Sequence, residues 1–284
     1  MNIIGLGQAG CNIAECFKQY SQYKIFKIDT GLEKSKGVYA LEHQNNPEAY
    51  ENKFPNLGRT SLKGVKGQTL FITSCGFVSG ASLRLLEQLY VRNGCNISVL
   101  YIKPDINNLS KEKALQENLM FNVFQEYARS GLFERLYIAD NTKMADIVGD
   151  VPVREYFNQI NQLMSSTVHM INVFDKSEAI MSTLFEPTIT ARISTLGLVD
   201  YESGEEKMFF DLDMSREKRY YYAIPEEILN SDGGLVKKVK KQVKNNVEHD
   251  KMRTSYAIYS TNYETPYVYC ISNSTLIQKD EKNA

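Results

Sequence analysis

Residues that could build a metal site or a disulfide framework are scarce in this sequence. Its 284 residues include five cysteines and three histidines, and no two cysteines form a Cys-x-x-Cys pair. The cysteines are Cys11, Cys16, Cys75, Cys95 and Cys270, and the histidines are His43, His169 and His249. An odd number of scattered cysteines is typical of reduced thiols in a cytoplasm. We therefore expect no structural zinc, no metal site built by the protein alone and no disulfide.

A charge imbalance and a long apolar run are also missing. Lys and Arg number 33 against 34 for Asp and Glu, which gives a net charge of -1. A nearly neutral chain lacks the bulk attraction that sequence-independent binding of nucleic acid needs, so we expect no direct contact with nucleic acid. No stretch approaches the roughly 18–20 apolar residues of a membrane-spanning helix, and the opening residues are too few and too rich in glycine for a signal peptide. We therefore predict a cytoplasmic protein without membrane insertion.

The first half of the chain alternates short apolar runs with helical patterns, and 43% of all residues are hydrophobic, enough for a sizeable core. Predicted strands cover 2–6, 23–28, 69–74, 97–102 and 136–139. Predicted helices follow residue 10 and cover 82–91 and 111–131, and 41–66 is predicted to be a loop. Strands that alternate with helices indicate a Rossmann-like parallel α/β sheet.

A long central helix is predicted from Val153 to Phe174. Apolar residues recur along it at three- and four-residue spacing: Val153, Phe157, Ile160, Met164, Met170, Ile171 and Phe174. Beyond Pro187 the pattern changes to strands rich in β-branched and aromatic residues, predicted at 192–201, 207–214, 219–224, 254–260 and 266–272, with one helix at about 235–246. This composition indicates a second, smaller α+β domain.

A glycine turn joins the first predicted strand to a helix. Glycines let the backbone approach a phosphate closely, and the following helix N-terminus offers free N–H groups and a favourable dipole. Gly5, Gly7 and Gly10 also fit the dinucleotide fingerprint G-x-G-x-x-G, and Asp29 stands about where a ribose-binding acid would be. On this segment alone, the NAD-binding domain of a Rossmann oxidoreductase is the leading interpretation, and a strand-to-helix turn without ligand is the alternative.

A second glycine-bearing turn, Cys75–Ser82, follows the third predicted strand. Together with Gly7-Gln8-Ala9-Gly10-Cys11-Asn12-Ile13, it resembles the nucleotide loops of the tubulin/FtsZ superfamily. Gly76, Ser79 and Gly80 match the signature Gly-Gly-Gly-Thr-Gly-Ser/Thr-Gly, whereas Phe77, Val78 and Ser82 stand where that family has glycine. The resemblance implies that GTP or GDP, together with Mg²⁺, is bound between the two turns. The residues implied to bind the nucleotide there are Gly7, Gln8, Ala9, Gly10, Asp29, Gly76, Phe77, Val78, Ser79, Gly80 and Ala81.

Two later segments extend the same resemblance. The stretch around Asp140-Asn141 is similar to the family's Ile-Asp-Asn-x-x-Leu-x-Asp-Ile, in which the asparagine hydrogen-bonds guanine. Residues 157–167 resemble the start of the central helix of tubulin, which implies that Phe157 stacks on the base and Asn161 pairs with its edge. An aromatic face and amide groups suit the mixed donor and acceptor edge of guanine. Taken singly, Phe157 fits a core position and Asn141 an ordinary turn residue.

Hydrolysis in this family is completed by a loop after the central helix, whose carboxylates polarise the attacking water in the site of the next subunit. The corresponding residues here, 183–194, lack the family's Asn-x-Asp-x-x-Asp/Glu pattern. Glu186 is the one acid among them and is therefore the candidate catalytic residue, with an ordinary loop glutamate as the alternative. We accordingly expect weak or absent GTPase activity.

The resemblance implies a GTP-binding protein that assembles head to tail with itself into cytomotive or scaffold filaments. By its length it resembles the compact proteins of plasmids and phages, the latter acting in an infected bacterial host. The predicted domains are 1–152 for GTP binding, 153–186 for the central helix and its following loop, and 187–284 for the α+β domain. The alternatives are a degenerate structural or interaction protein of the same family and the NAD-binding oxidoreductase.

Overall fold

A computed structural model describes residues 1–279 of the chain. The chain forms two compact units, Met1–Ser166 and Thr167–Ala284, so the division falls within the long central helix. The strands of the first unit are β1 (Asn2–Leu6), β2 (Lys24–Thr30), β3 (Val38–Leu41), β4 (Gly67–Ser74), β5 (Cys95–Lys103) and β6 (Arg135–Asp140). Its helices are α1 (Gly7–Cys16), α2 (Pro47–Asn52), α3 (Ser82–Val91), α4 (Lys111–Ser130), α5 (Asn141–Val148) and the start of α6 (Tyr156–Phe174).

The six strands of the first unit are all parallel and follow the order β3-β2-β1-β4-β5-β6. The side chains of β1, β4 and β5 are largely buried, as expected of a parallel sheet with helices on its faces. The predicted α/β class is thus confirmed. Since all six strands run the same way, their carboxyl ends lie at one edge, where ligands of open α/β sheets bind. The strands β1 and β4, which end in the two glycine turns, are direct neighbours.

The predicted loop at 41–66 was wrong in part, because it contains α2 and a 3₁₀ turn at Leu57–Arg59. The side chain of Asn46 accepts a hydrogen bond from the N–H of Ala49, and Pro47 occupies the first helical position. This Asn-Pro pair is a helix start signal. A short strand, β3, was also missed. Helix α1 begins at Gly7 rather than after Gly10, so the glycine turn itself is the first turn of the helix.

The central helix begins at Tyr156, three residues later than predicted. Val153 is 91% exposed and Phe157 is 67% exposed, so both lie outside the apolar stripe. The stripe that is buried consists of Ile160, Met164, Val168, Ile171 and Phe174. An additional helix, α5, starts directly after β6, where Asp140 caps it by accepting hydrogen bonds from the N–H groups of Thr142 and Lys143.

The second unit is a mixed α+β structure, as predicted. Its strands are β7 (Met181–Ser182), β8 (Ile193–Val199), β9 (Glu206–Met208), β10 (Glu217–Pro225), β11 (Arg253–Thr261) and β12 (Tyr267–Ser274), and its helices, after the end of α6, are α7 (Glu226–Ser231) and α8 (Leu235–Asn245). The strand order is β8-β12-β10-β11-β7, with β9 paired to β8. Among the strand pairs described in this unit, β10 and β11 are parallel, and the others are antiparallel. Val239 and Val243 of α8 pack with Tyr220, Tyr222 and their neighbours in the core.

Two expectations for the second unit were wrong. The strand predicted at 207–214 ends at Met208, and within the rest of that stretch Met214 adopts a φ of 51°, outside the extended region. Helix α7 was not predicted. Among the residues that the structure describes, no helix is both long and apolar enough to cross a membrane.

Candidate nucleotide-binding site

The first glycine turn places the N-terminus of α1 at the carboxyl edge of the sheet. Gly7 has a φ of 73°, which glycine adopts without strain. A Cβ on Gly5 would lie 2.3 Å from the carbonyl oxygen of Gly10, and one on Gly10 would lie 2.3 Å from that of Ile72. The three glycines therefore do different things, since Gly7 makes the turn while Gly5 and Gly10 let α1 pack against β1 and β4.

The first N–H groups of α1 are not capped by a side chain, and no acid stands in its first turn. A helix N-terminus leaves four backbone N–H groups without partners inside the helix, and its dipole favours an anion there. The sequence thus leaves this helix end open at the edge of the sheet, a suitable place for a phosphate group.

The second glycine turn is a 3₁₀ turn, Phe77–Ala81, that leads into α3. Gly76 has a φ of 153°, and its carbonyl oxygen accepts hydrogen bonds from the N–H and the hydroxyl of Ser79. A Cβ on Gly7 would lie 4.0 Å from the Cβ of Val78, which places the two turns side by side. Helix α3 also begins without a side-chain cap.

The two turns line one cavity of about 610 Å³. Of the predicted site residues, the cavity is lined by Gly7, Gln8, Ala9, Asp29, Gly76, Phe77, Val78 and Ser79. Gly10, Gly80 and Ala81 are buried and do not line it. Phe77 and Val78, which stand in place of family glycines, contribute to the wall of the cavity without filling it.

Sequence reasoning missed half of the cavity wall. The residues it missed are Leu6, Thr30, His43, Gln44, Tyr50, Ser74, Cys75 and Lys113. His43, Gln44 and Tyr50 come from the segment before α2 and from α2 itself, which was predicted as loop. The Asn-Pro helix start was the signal that could have found this segment. Lys113 lies in the first turn of α4, and a lysine there is unremarkable by pattern alone.

The charged groups of the cavity lie on different strands and helices. Asp29, at the end of β2, is half-buried, and this burial raises the pKa of its carboxyl. Its Oδ1 accepts a hydrogen bond from the N–H of Thr30 at 2.8 Å. Lys113 is the single Lys or Arg among the lining residues of the described chain, and it is exposed. The cavity therefore offers one cation and one carboxylate.

Cys75 lies in the cavity wall, but its thiol is expected to be unreactive at neutral pH. Burial, reinforced by the nearby charge of Glu117, raises the pKa of its thiol to about 11, although Lys113 and Lys103 oppose this. The thiolate is the reactive form of cysteine, so a thiol with this pKa is largely protonated at neutral pH. Within the described residues, no group of three or more His, Cys, Asp or Glu side chains could hold a metal ion.

The three residues predicted to bind the base do not line this cavity. Asn141 is the first residue of α5, immediately after the end of β6. Phe157 is 67% exposed and packs edge to face on Tyr156, with 5.1 Å between ring centroids, and Asn161 follows one helical turn later. Because β5 separates β4 from β6 and neighbouring strands are about 4.8 Å apart, the ends of β1 and β6 lie roughly 14 Å apart along the edge.

Glu186, the predicted catalytic residue, belongs to the second unit and is exposed. The backbone before it is tied to β11, since the N–H of Thr183 donates to the carbonyl oxygen of Tyr256 at 2.8 Å. Within the residues 183–194 no second acid accompanies it.

Comparisons with known proteins identify the fold. No protein-family model matches the sequence, and no curated protein matches it. Among solved structures, a GTPγS-form protofilament of Bacillus thuringiensis serovar israelensis TubZ matches with a TM-score of 0.72 and 16% identity, covering 96% of this chain and 86% of that one. A GTPγS-bound protofilament of Haloferax volcanii CetZ2 gives a TM-score of 0.68 and 13% identity over 99% of this chain and 94% of the other. A dimer of FtsZ from M. jannaschii gives a TM-score of 0.66 and 13% identity, covering 96% of this chain and 87% of that one.

These three matches are tubulin/FtsZ superfamily proteins, and each covers nearly the whole chain. The resemblance inferred from the two glycine turns is thereby confirmed at the level of the fold. Identities of 13% to 16% establish the fold and leave the ligand and the activity to be argued from the site.

Proposed function

We propose that this chain, which has the fold of tubulin and FtsZ, binds GTP or GDP and assembles head to tail into filaments with weak or no hydrolysis. One observation carries the proposal: two glycine turns from the neighbouring strands β1 and β4 line one cavity beside an uncapped helix N-terminus. A single-turn dinucleotide site has no use for the second turn, whereas a triphosphate has three groups to place.

The phosphates lie between the turns, where backbone N–H groups of α1 and of the second turn donate to them and Lys113 supplies a positive charge. Asp29 and Thr30 provide the oxygens that suit Mg²⁺, which typically combines one or two carboxylates with phosphate oxygens. When bound there, Mg²⁺ would neutralise phosphate charge. Asp29 alone would repel the phosphates, so its presence in the wall fits a site that would also hold a cation better than a bare anion site.

The base lies toward the end of β6. A span of roughly 14 Å from β1 to β6 suits a nucleotide laid along the sheet edge, with its phosphates at one end and its base at the other. Phe157 is an exposed aromatic face available for stacking, and Asn141 and Asn161 are amides available for the edge of guanine.

Filament formation is proposed from the fold and from the relatives that share it. The TubZ and CetZ2 structures are described as protofilaments, and the TubZ one contains the GTPγS form. Self-assembly by two different surfaces of the same chain gives an open polymer when the rotation does not close. We place this assembly in the cytoplasm, where the five cysteines, all free, remain reduced.

A degenerate member without nucleotide is the second candidate, and Phe77 and Val78 are the observation that favours it. Their side chains line the cavity where the family has glycine, which reduces the room for backbone to approach a phosphate. Backbone N–H groups remain at both positions, and for this reason binding is the first candidate.

Thermal unfolding and electron microscopy of the purified chain test the proposal together. A ligand that binds only the folded state raises the midpoint of unfolding. We expect GTP, GDP and GTPγS to raise it, NAD to leave it unchanged, and filaments to form with GTP or GTPγS. Stabilisation by NAD alone would indicate the oxidoreductase, and no stabilisation by any nucleotide would indicate the degenerate member.

A matched pair of variants ties the effect to the cavity. Ala9→Glu places a carboxylate among the lining residues and should abolish stabilisation by GTP through repulsion. Ala9→Gln introduces a side chain of the same size without charge and should retain more of it. Equal effects of both would contradict phosphate binding at this turn.

A further inference from the structure

Glu217, at the start of β10, is an acid buried inside the second unit. Its side chain is 1% exposed, and a buried carboxylate is expensive unless several donors satisfy it. Its donors come from three different parts of the chain. They are the backbone N–H of Thr188 at 3.2 and 3.1 Å, the hydroxyl of Thr188, Nη1 of Arg253 at 3.2 Å and Nδ2 of Asn273 at 3.5 Å.

Two of these donors are fixed by the sheet itself. Arg253 and Asn273 are the cross-strand partners of Glu217 on β11 and β12. Thr188 is different, because it belongs to no helix or strand and is exposed. The carboxylate therefore fastens an irregular surface segment to the end of three paired strands.

Arg253 contacts the same segment directly. Its guanidinium lies over the ring of Phe185, 4.0 Å from the centroid, and its Nη1 is 3.4 Å from the hydroxyl oxygen of Thr188. Before Phe185, the N–H and hydroxyl of Thr183 both donate to the carbonyl oxygen of Tyr256. After Thr188, the N–H of Ala191 donates to the carbonyl oxygen of Thr188, and Ala191 is fully buried.

Several residues between these fixed points are exposed to solvent. Glu186 is exposed, and Ile189 is 77% exposed although its side chain is apolar. Pro187 between them limits the backbone further. A segment held at both ends loses little conformational entropy when a partner binds it. An exposed acid and an exposed isoleucine on such a segment are therefore suited to contact a partner surface.

We infer that Glu217 and Arg253 are positioning residues, which hold residues 183–191 so that Glu186 and Ile189 are presented to a second copy of this chain. The inference rests on the proposed self-assembly. Both residues belong to the second unit, and neither lines the cavity between the two glycine turns. They act through the backbone of the segment, and their loss should impair assembly and any turnover that depends on it while leaving nucleotide binding by the first unit intact.

The test measures the critical concentration for GTP-dependent assembly by sedimentation, alongside the affinity of each variant for GTPγS. Glu217→Gln keeps the shape of the side chain but removes its charge, and Thr188→Ala removes one donor from an exposed position. We expect each to raise the critical concentration, by about tenfold or more for Glu217→Gln because its hydrogen bonds are charge-assisted. The affinity for GTPγS should change less than about twofold.

Matched variants separate positioning from general destabilisation. Thr188→Ser retains the hydroxyl and should assemble like the natural chain, and Glu227→Gln removes an exposed acid of the same unit and should have no effect. Because a head-to-tail polymer uses a different surface on each side of the subunit, Glu217→Gln should also block growth of the natural chain when added at substoichiometric amounts. A variant that only lost folding stability would not block growth of the natural chain in this way.

The outcomes are distinct. If the natural chain forms no filaments, the proposed function fails and this inference with it. If the natural chain assembles, and folded Glu217→Gln and Thr188→Ala assemble at the same concentration, the inference alone is refuted. If Glu217→Gln does not fold, the other pair of variants decides. A higher critical concentration for Thr188→Ala than for Thr188→Ser supports the inference, and equal values refute it.

Discussion

Gly80 lies against the backbone of Pro47, so closely that a Cβ on Gly80 would be 2.2 Å from the Pro47 carbonyl oxygen. Gly80 is buried within the second glycine turn and does not line the cavity. Gly80, one of the two glycines that match the family signature, therefore serves the packing of α2 rather than the approach of a phosphate. Since α2 carries Tyr50 into the cavity wall, this contact also fixes one side of the site.

Gly80→Ala should therefore destabilise the chain. Backbone atoms on both sides must move to admit a methyl group, and overpacking of this kind costs about 1–3 kcal/mol or more. We expect the free energy of unfolding in urea to fall by about 3 kcal/mol. Gly233→Ala is the matched control, because nothing lies within 4 Å of its added Cβ. Equal stability of the two variants would contradict the packing role.

How much of the site could be predicted follows from where its residues lie in the sequence. Gly7 and Gly76 stand at the ends of strands with clear apolar patterns. The two turns and their adjacency on a parallel sheet could therefore be predicted. The side of the cavity formed by His43, Gln44 and Tyr50 offered one weaker signal, the helix start at Asn46-Pro47. Its polar, proline-containing sequence has no periodicity, and only the fold brings it over the strand ends.

The spacing of apolar residues also did not predict the exposure of individual side chains. Helical spacing placed Phe157 in the apolar stripe with Ile160 and Met164, yet it is exposed while they are buried. Spacing alone cannot tell where along a helix the burial begins. It also cannot distinguish Lys113, which lines the cavity, from Lys111, which does not.

This difference between the two lysines supports a second prediction. Lys113→Ala should weaken binding of GTPγS about tenfold and of GDP less, since a charge-assisted hydrogen bond to a phosphate contributes about 1.5–3 kcal/mol. Isothermal titration calorimetry with both nucleotides measures the effect. Lys111→Ala, two residues earlier in α4 and also exposed, removes the same charge and should change neither affinity. Equal losses in the two variants would show that the effect is only long-range electrostatics.

Asp29 should couple nucleotide affinity to Mg²⁺. Removing Mg²⁺ with a chelator should weaken GTP binding by the natural chain about tenfold, because the carboxylate then faces the phosphates without a bridging cation. In Asp29→Asn the chelator should have little effect. The pKa of Asp29 is raised by burial, so the dependence on Mg²⁺ should also fade as the pH falls and the carboxyl becomes protonated. Glu33→Gln, an exposed neighbour outside the cavity wall, should behave like the natural chain.

Lys103 and Glu117 form a buried ion pair beside the site, with 3.0 Å between Nζ and Oε1 and both side chains at most 4% exposed. Lys103 also lies 4.0 Å from the centroid of Phe121. Lys103→Met should lower the free energy of unfolding by about 3–5 kcal/mol, because it leaves the carboxylate without its cation in a buried place. The double variant Lys103→Met, Glu117→Leu should recover most of this loss, as a double-mutant cycle in urea would measure. A double variant less stable than Lys103→Met would argue against the broken ion pair as the source of the lost stability.

The buried thiol of Cys11 should make stability fall at high pH. Burial, with the nearby charge of Asp29 as a second cause, raises the pKa of Cys11 from its ordinary value of 9.0 to about 12. A thiol whose pKa is higher in the folded state contributes stability that is fully present below pH 9 and is lost as the pH rises from 9 to 12, by up to about 1.4 kcal/mol per unit. Other buried thiols and phenols titrate in the same range, so the informative quantity is the difference from Cys11→Ala. The advantage of the natural chain over that variant should be constant from pH 7 to 8.5 and shrink above pH 9, whereas its advantage over Ile13→Val, a buried variant of the same helix without a titrating group, should not change. A parallel response of both variants would mean that Cys11 ionises as readily in the folded chain as in the unfolded one.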